Sequence, residues 1–199
     1  MKKLFLIGGM GAGKSTARKA LTDEGLAWID LDQVGHEVLM WDTVKEELVE
    51  TFGEDIFDEN GEVVRSALAA KAFATPAATR KLNTITMPRI EERYTDLIDG
   101  FEAEGKPAVV VEYSVFRNRQ SSLAYGADVV MAVLAPLETR IERAVASGFP
   151  EEDVRARIAR QITDADRIEA SDVVFNNDGT PEELRNEVLA WWNEYKKEL

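Results

Sequence analysis

Short apolar runs alternate with longer helical patterns along the chain. Five runs have the length of buried strands: residues 4–7, 27–30, 108–111, 128–134 and 172–176. The segments between them carry apolar residues at helical spacing, and this alternation predicts an α/β fold. At 199 residues, the chain has the size of one such domain with a small insertion.

The interval between the second and third runs is longer than a simple crossover needs. A helix from about 77 towards 85 is expected to end at Met87-Pro88, and a further helix is expected at 90–104, because proline removes a helical hydrogen bond. We interpret the insertion, about residues 43–105, as a lid or an acceptor-binding subdomain. The alternative is additional core helix.

A glycine-rich segment at residues 8–15, here called the phosphate loop, follows the first apolar run. It reads Gly-Gly-Met-Gly-Ala-Gly-Lys-Ser and fits the phosphate-binding pattern Gly-x-x-x-x-Gly-Lys-Ser/Thr at every fixed position. A helix-forming stretch comes next, with Gly25 placed to end it. The alternative, a turn that only closes a strand–helix corner, leaves the Lys-Ser pair unexplained.

Charge explains why this loop suits ATP. Glycines allow successive backbone N–H groups to point inward at one anion, and the following helix adds the positive end of its dipole. Lys14 can reach the β- and γ-phosphates, and the Ser15 hydroxyl can bind magnesium (Mg2+). The predicted nucleotide-binding residues of this segment are Gly9, Met10, Gly11, Ala12, Gly13, Lys14, Ser15 and Thr16.

The composition excludes several other classes of function. A formal net charge of −13 argues against nucleic acid and anionic membranes as partners, since both call for a basic face. No apolar run approaches the roughly 20 residues that cross a bilayer, and residues 1–3 lead into the first strand without a secretory signal. The absence of cysteine removes disulfides, thiolate metal sites and a cysteine nucleophile. We expect a cytoplasmic protein.

Acidic residues end two of the predicted strands. Asp30 and Asp32 follow the second, and Glu112 closes the third. The carboxyl ends of such strands border the ligand crevice, and phosphoryl transfer commonly uses an aspartate near the acceptor hydroxyl. Asp32 is therefore a candidate base or, alternatively, the N-cap of a helix at 33–41. Any of the three carboxylates could face magnesium through water. His36, one helical turn after Asp32, is a candidate for the same crevice or a surface residue.

Arginines gather on two predicted helices, the second at 151–166. They are Arg140, Arg143, Arg155, Arg157, Arg160 and Arg167. A guanidinium group stays charged and can grip phosphate oxygens bidentately, so this cluster predicts a helical lid at about residues 140–166. The alternative is surface ion pairing with neighbouring acidic residues.

The loop after the last apolar run reads Asn177-Asp178-Gly179. In this class of fold that loop often passes the adenine, so Asn177 is a candidate nucleotide contact. The alternative is a simple turn. Thr180 and Pro181 then predict the start of a C-terminal helix, as its N-cap and first residue.

With these landmarks placed, the sequence resembles the dephospho-coenzyme A kinases over nearly the whole chain. The phosphate loop alone specifies a superfamily, whereas the ordered set of weaker motifs is more specific. The matching residues are Asp30-Leu31-Asp32, His36, Phe52-Gly53, Gly61, Arg65, Leu68, Phe73, Leu82-Asn83, Pro88, Pro136, Glu138, Arg143, Arg157-Ile158, Gln161, Asp172-Val173-Val174 and Asn177-Asp178-Gly179.

The resemblance implies transfer of the γ-phosphoryl group of ATP to the ribose 3′-hydroxyl of dephospho-coenzyme A, the last step of coenzyme A synthesis. It also implies a three-layer fold, a five-stranded parallel sheet with helices on both faces, as in nucleoside monophosphate kinases. In such enzymes the position of Asp32 supplies the base, the position of Arg143 contacts phosphates, and the insertion receives the acceptor. The candidate acceptor-binding residues that follow are Asp32, His36, Arg65, Leu82 and Pro88.

Three positions depart from the family's pattern. Met87 precedes the proline where histidine is usual, and Tyr113-Ser114-Val115 stands where the third strand usually ends in Pro-Leu-Leu. Ser147 takes the place of a second lid arginine. The first two departures lie near the expected acceptor side.

We therefore predict an ATP-dependent small-molecule kinase that is a monomer or a weak homo-oligomer and acts on dephospho-coenzyme A. Lys14, Asp32 and Arg143 are its expected catalytic residues. Two other functions are compatible with the residues. One is a kinase for another acceptor, such as a nucleotide or metabolite, and the other is a nucleotide-gated ATPase or switch that regulates a partner protein.

Overall fold

The five strands predicted from the apolar runs are all present and pair in parallel. In the computed structural model, which describes residues 1–199, they are β1 (Lys2–Gly8), β2 (Ala27–Asp30), β3 (Ala108–Glu112), β4 (Val129–Leu134) and β5 (Val173–Asn176). Their order across the sheet is β2-β3-β1-β4-β5, and every neighbouring pair is parallel. The segments that follow the strands therefore begin at one edge of the sheet, with β1 in the middle.

Nine α-helices connect and cover the strands. They are α1 (Lys14–Asp23), α2 (Leu31–Val38), α3 (Asp42–Phe52), α4 (Arg65–Ala72), α5 (Pro76–Ala103), α6 (Leu137–Ala146), α7 (Glu151–Ile158), α8 (Asp164–Ala170) and α9 (Pro181–Tyr195). Short 3-10 helices occupy Glu54–Ile56 and Lys196–Glu198. None of the helices is long and apolar enough to pass through a lipid bilayer.

The chain divides into two compact units. The first, here called the sheet unit, comprises Met1–Asp30 and Ile98–Leu199 and contains all five strands. The second, here called the helical unit, is Leu31–Leu97 and contains α2, α3, α4 and most of α5.

The core of the sheet unit explains why its strands read as continuous apolar runs. Leu4 and Leu6 of β1 belong to the cluster that α1 and α9 cover, whereas Phe5 lies outside this cluster and meets the ring of Tyr113. All three β1 side chains are fully buried. Because the helices cover both faces, successive residues of the strand are apolar. The expected three-layer α/β fold is confirmed.

The helical unit has its own apolar core, and this core overturns the predicted break at Met87-Pro88. Helix α5 is continuous, with Pro88 inside it. Leu82 and Ile85 before the proline, and Ile90 after it, pack against the same apolar cluster. This tertiary packing holds the two halves of α5 in line despite the hydrogen bond that proline removes.

Two further helix boundaries differ from those expected. The segment 151–166 is not one helix, because α7 ends at Ile158 and a reciprocal capping box between Thr163 and Asp166 starts α8. Helix α2 begins at Leu31, so Asp32 lies in its first turn and is not the N-cap of a helix at 33–41.

The start of α9 is confirmed as predicted. The Thr180 hydroxyl accepts a hydrogen bond from the Glu183 N–H, and the Glu183 carboxylate accepts one from the Thr180 N–H at 2.7 Å. Pro181 occupies the first turn. The hydrogen bonds from the Thr180 N–H and hydroxyl hold the pKa of the Glu183 carboxyl below its ordinary value.

Replacing this cap is expected to destabilise the protein. Thr180→Ala removes the oxygen that satisfies a helix N–H, and should lower the free energy of unfolding by about 1 kcal/mol. Urea denaturation at pH 7 measures the change. Thr180→Ser keeps the oxygen and is the matched control, so an equal loss in both variants would contradict the capping role.

The same cap gives a pH dependence. The folded-state pKa of Glu183 is lowered, so its ionised form contributes stability above its ordinary pKa of 4.5 and loses that contribution as the pH falls. The difference between the wild-type protein and Thr180→Ala should therefore shrink in acid without vanishing, because the bond from the Glu183 N–H does not titrate.

Candidate functional site

A cavity of about 430 Å³ lies beside the phosphate loop in the sheet unit. All eight predicted loop residues, Gly9 through Thr16, line it, together with Glu112, Arg143 and Asn177. The loop after β1, the start of α1, the end of β3, helix α6 and the segment after β5 thus meet in one place. The volume falls in the range of small-molecule sites.

Glycine is required at two points of the loop. Gly11 has a φ of +74° and Gly13 a φ of +105°, both in the left-handed region that side chains disfavour. A Cβ at Gly11 would also overlap the backbone carbonyl of Arg140, and a Cβ at Gly13 would overlap the side-chain amide of Asn177. The loop is therefore packed from outside by later parts of the chain.

Asn177 closes the loop from the β5 side. Its side-chain N–H donates to the carbonyl of Ala12 at 2.8 Å, and its backbone N–H donates to the carbonyl of Leu134 at 2.7 Å. The residue is 5 % exposed. The predicted nucleotide contact is thus also a structural support, joining the loop to the neighbouring strand.

Lys14 lies between the loop backbone and a carboxylate. Its ammonium donates to the carbonyl of Gly8 at 3.2 Å and lies 4.0 Å from Glu112 Oε1. The other oxygen of Glu112 lies 3.6 Å from Nε of Arg18, whose guanidinium stacks 4.0 Å above the ring of Trp28. A cation is therefore positioned at the loop and an acidic group stands at the end of β3.

Asp30 lies beside Glu112 at the edge of the sheet. The two residues are register partners at the carboxyl ends of β2 and β3. Glu112 lines the cavity, whereas Asp30 does not. Oxygen groups on adjacent strands, with Ser15 in the first turn of α1, are of the type that magnesium prefers.

Arg143 is the predicted lid arginine that reaches the cavity. It donates through Nη2 to the carbonyls of Asn177 and Gly179, at 3.3 and 3.4 Å. Its Nη1 is buried without a hydrogen-bond partner in the protein. Helix α6 thus holds this guanidinium against the loop after β5.

The remaining arginines of the cluster serve other contacts. Arg155 pairs with Glu138 and Glu151, as the ion-pairing alternative predicts. Arg157 stacks on the ring of Phe149 at 5.5 Å. Neither side chain lines the cavity, and the same is true of Arg140, Arg160 and Arg167. Of the six arginines, Arg143 alone lines the cavity.

Arg140 and Arg167 are buried and share one carboxylate. Asp164 Oδ1 accepts a hydrogen bond from Arg167 at 2.6 Å and lies 3.6 Å from Arg140 Nη1. Burial lowers the pKa of Arg167, while the hydrogen bond and charge of Asp164 act in the opposite direction. Helical spacing placed Arg140 on one face with Arg143, yet the two side chains have different surroundings.

The helical unit contains the candidate acceptor residues. His36 of α2 and Arg65 of α4 are in contact, with Arg65 Nη1 3.1 Å from His36 Nε2, and both line a second cavity of about 310 Å³. Asp32 lies in the first turn of α2. Leu82 packs in the apolar core and Pro88 lies inside α5, and neither lines this cavity.

Several cavity residues were not among the predicted nucleotide contacts. Ala144, Ser147, Phe149 and Pro181 also line the cavity beside the loop. Phe149 is a large ring that is 40 % exposed, and an aromatic residue in a loop between two arginine-bearing helices is the one feature that could have marked it. The others are small or structural residue types.

Comparison with known proteins points to a single family. The family model described as dephospho-CoA kinase matches residues 4–183. A dephospho-CoA kinase from Corynebacterium glutamicum is 39% identical over 187 residues, which cover 93% of this chain and 95% of that protein.

Solved structures agree on the fold. A protein from Thermus thermophilus has a TM-score of 0.82 at 26% identity, with 97% of each chain covered. The structure of the dephospho-CoA kinase from Campylobacter jejuni has a TM-score of 0.66 at 20% identity, covering 97% of this chain and 96% of that one.

The packing of Gly11 gives a test of the cavity. In Gly11→Ala the new methyl group meets the Arg140 backbone, and the loop should relieve the overlap by leaving its binding conformation. An overpacking cost of about 1–3 kcal/mol corresponds to a loss of ATP affinity of roughly 5- to 150-fold. Isothermal titration with ATP measures the loss.

Gly105 provides the matched control. It has a similar φ of +71°, and a Cβ there would meet nothing within 4 Å. Gly105→Ala should therefore lose about 1 kcal/mol of stability through backbone strain and keep its ATP affinity. Equal ATP binding by the two variants would show that the cavity is not the nucleotide site.

Proposed function

The chain belongs to the dephospho-CoA kinase family, and on this premise we propose that it transfers the γ-phosphoryl group of ATP to the ribose 3′-hydroxyl of dephospho-coenzyme A. The products are ADP and coenzyme A. The observation that carries the proposal is the cavity that residues 9–16, with Lys14 among them, line together with Arg143.

The cavity supports binding of a triphosphate. The dipoles of the loop peptides and of the N-terminus of α1 attract an anion, while Lys14 and Arg143 add two positive charges beside them. In a chain with a formal net charge of −13, such a local cluster is needed to overcome the general repulsion of ATP. Lys14 and Arg143 are proposed to stabilise the oxygens of the transferring phosphoryl group.

Magnesium is the proposed metal. The oxygen groups fit it, because magnesium keeps several waters and binds through few protein ligands together with substrate phosphates. Ser15 is proposed to hold it directly, and Asp30, Asp32 or Glu112 through water. When bound, the ion neutralises charge that develops on the phosphate oxygens.

The helical unit is the proposed acceptor-binding subdomain. Asp32 stands two residues after the carboxyl end of β2, and we propose that it orients the acceptor hydroxyl and takes its proton. His36 and Arg65 are proposed to bind the acceptor in the cavity that they line, where the guanidinium suits a phosphate-bearing molecule. Leu82 and Pro88 are proposed to act through the packing of α5.

The segment at about residues 140–166 is the proposed lid. Enclosing the phosphates would exclude water that otherwise hydrolyses ATP. Phe149 and Ser147 line the cavity from this segment, which supports the assignment. We further propose a cytoplasmic enzyme whose partner is its small-molecule acceptor.

A panel of acceptors tests the activity. The protein is mixed with ATP and magnesium, and ADP release is followed with dephospho-coenzyme A, nucleoside monophosphates or shikimate. Release accelerated by dephospho-coenzyme A alone is expected. Acceleration by another acceptor would reassign the substrate, and hydrolysis indifferent to all acceptors would indicate an ATPase or switch.

Substitution of Asp32 tests its role as the base. Asp32→Asn keeps the shape of the side chain but cannot take a proton, so kcat should fall by at least about 100-fold while the Kd for ATP stays nearly unchanged. Steady-state kinetics with an independent binding measurement separates the two effects. Lys14→Ala is the comparison variant and should weaken ATP binding directly. A parallel loss of ATP binding in Asp32→Asn would place Asp32 in the metal site or in the fold instead.

A further inference from the structure

The phosphate loop is also held by the segment between α7 and α8. The Met10 N–H donates to Oε1 of Gln161 at 3.1 Å, across 151 positions of the sequence. The Met10 side chain packs against an apolar cluster whose buried members are Ile141, Ala144 and Val154. Both the backbone and the side chain of Met10 are therefore fixed by α6, α7 and the segment that follows them.

Arg140 fills the space beside Gly9, the residue before Met10. A Cβ at Gly9 would overlap the Arg140 guanidinium and would lie 3.4 Å from Gln161 Oε1. Arg140 is 6 % exposed, so its side chain has little room to yield. The peptide between Gly9 and Met10 is thus enclosed by two side chains that come from distant parts of the chain.

The position of Gln161 is in turn fixed by buried charge. Asp164, three residues further on, lies between the guanidinium groups of Arg140 and Arg167, at 3.6 and 2.6 Å. Arg167 is 3 % exposed. The carboxylate of Asp164 stabilises the buried guanidinium groups of Arg140 and Arg167, because burying two positive charges without an anion is strongly unfavourable. The segment that carries Gln161 is therefore anchored at a point close to the loop.

Gln161 does not line the nucleotide cavity. It contacts the loop at a backbone N–H, so its effect on a ligand has to pass through the loop conformation. A loop held in its binding conformation loses little freedom when an anion binds, and this raises affinity.

We propose that Gln161 is a positioning residue of the phosphate loop, fixing the Met10 amide while Asp164 anchors Gln161 through Arg140 and Arg167. This proposal rests on the proposed kinase function only for its effect on the rate of phosphoryl transfer. ATP binding and the state of the Met10 amide can be measured without any acceptor.

The test compares Gln161→Met with Gln120→Met in the full-length protein. Methionine has a similar length and lacks the amide oxygen, and Gln161 is only half-buried, so the variant should fold. Gln120 is exposed and does not line the nucleotide cavity, which makes it the matched control. Amide hydrogen exchange by NMR reports on Met10, and isothermal titration reports on ATP.

In Gln161→Met we expect faster exchange at the Met10 amide, with protection of the β1 and β3 amides unchanged. Losing one fixing hydrogen bond should weaken ATP binding by about tenfold, with KM for ATP rising in parallel and the unfolding midpoint nearly constant. Gln120→Met should match the wild-type protein in each measurement.

Unchanged ATP affinity together with unchanged Met10 exchange would overturn the proposal. A lowered unfolding midpoint with normal ATP affinity would also overturn it, because that result describes a purely structural contact. If the wild-type protein failed to use dephospho-coenzyme A but Gln161→Met still showed both effects, the proposed acceptor would be wrong and the role of Gln161 would stand.

Asp164→Asn tests the anchor. It keeps the shape of the side chain and removes the charge that Arg140 and Arg167 share, so it should weaken ATP binding in the same direction as Gln161→Met. Combined in one protein, the two changes should give less than the product of their separate effects, because they act through one contact. Fully independent effects would remove Asp164 from the proposal.

Discussion

A loop of backbone amides can surround a phosphate chain only if nothing else occupies its interior and something outside holds its shape. In this protein the glycines of the loop meet both requirements. Gly11 and Gly13 adopt left-handed backbone conformations, and the places where their side chains would stand are filled by Arg140 and Asn177. The glycines therefore permit the curvature of the loop and also its close packing against the rest of the sheet unit.

This constraint determines much of the surrounding architecture. The loop follows β1 at the middle of the sheet, so strands and connections on both sides can reach it. Glu112 comes from the end of β3 on one side, and Asn177 from the end of β5 on the other. Helix α6 contributes Arg143, whose guanidinium is held by the carbonyls of Asn177 and Gly179. An acidic chain thereby concentrates cations and amide dipoles where an anion is to be bound.

The sequence predicted the parts of this arrangement that depend on local patterns. The strands follow from buried apolar runs, the loop from its glycine and lysine spacing, and the start of α9 from Thr180. A helix break was predicted at Pro88 and is absent, and the break before Thr163 was not predicted. Both outcomes depend on competition between local propensity and tertiary packing. Around the cavity, the contact between Met10 and Gln161 could not be predicted, since it joins residues far apart in the sequence. The different surroundings of Arg140 and Arg143 could not be predicted, because helical spacing shows which residues share a face but not what that face meets.

The two buried arginines beside the loop, and the partly exposed carboxylate that they share, have a consequence for how this protein can diverge. Arg140, Asp164 and Arg167 come from two helices, and the single carboxylate balances two guanidinium groups. Loss of Asp164 alone would leave two cations facing one another, and loss of either arginine alone would open a void or leave a poorer pair. In related sequences, Arg140, Asp164 and Arg167 should therefore be replaced together, by apolar residues or by a different set of balanced charges. The glycines of the loop should remain unchanged.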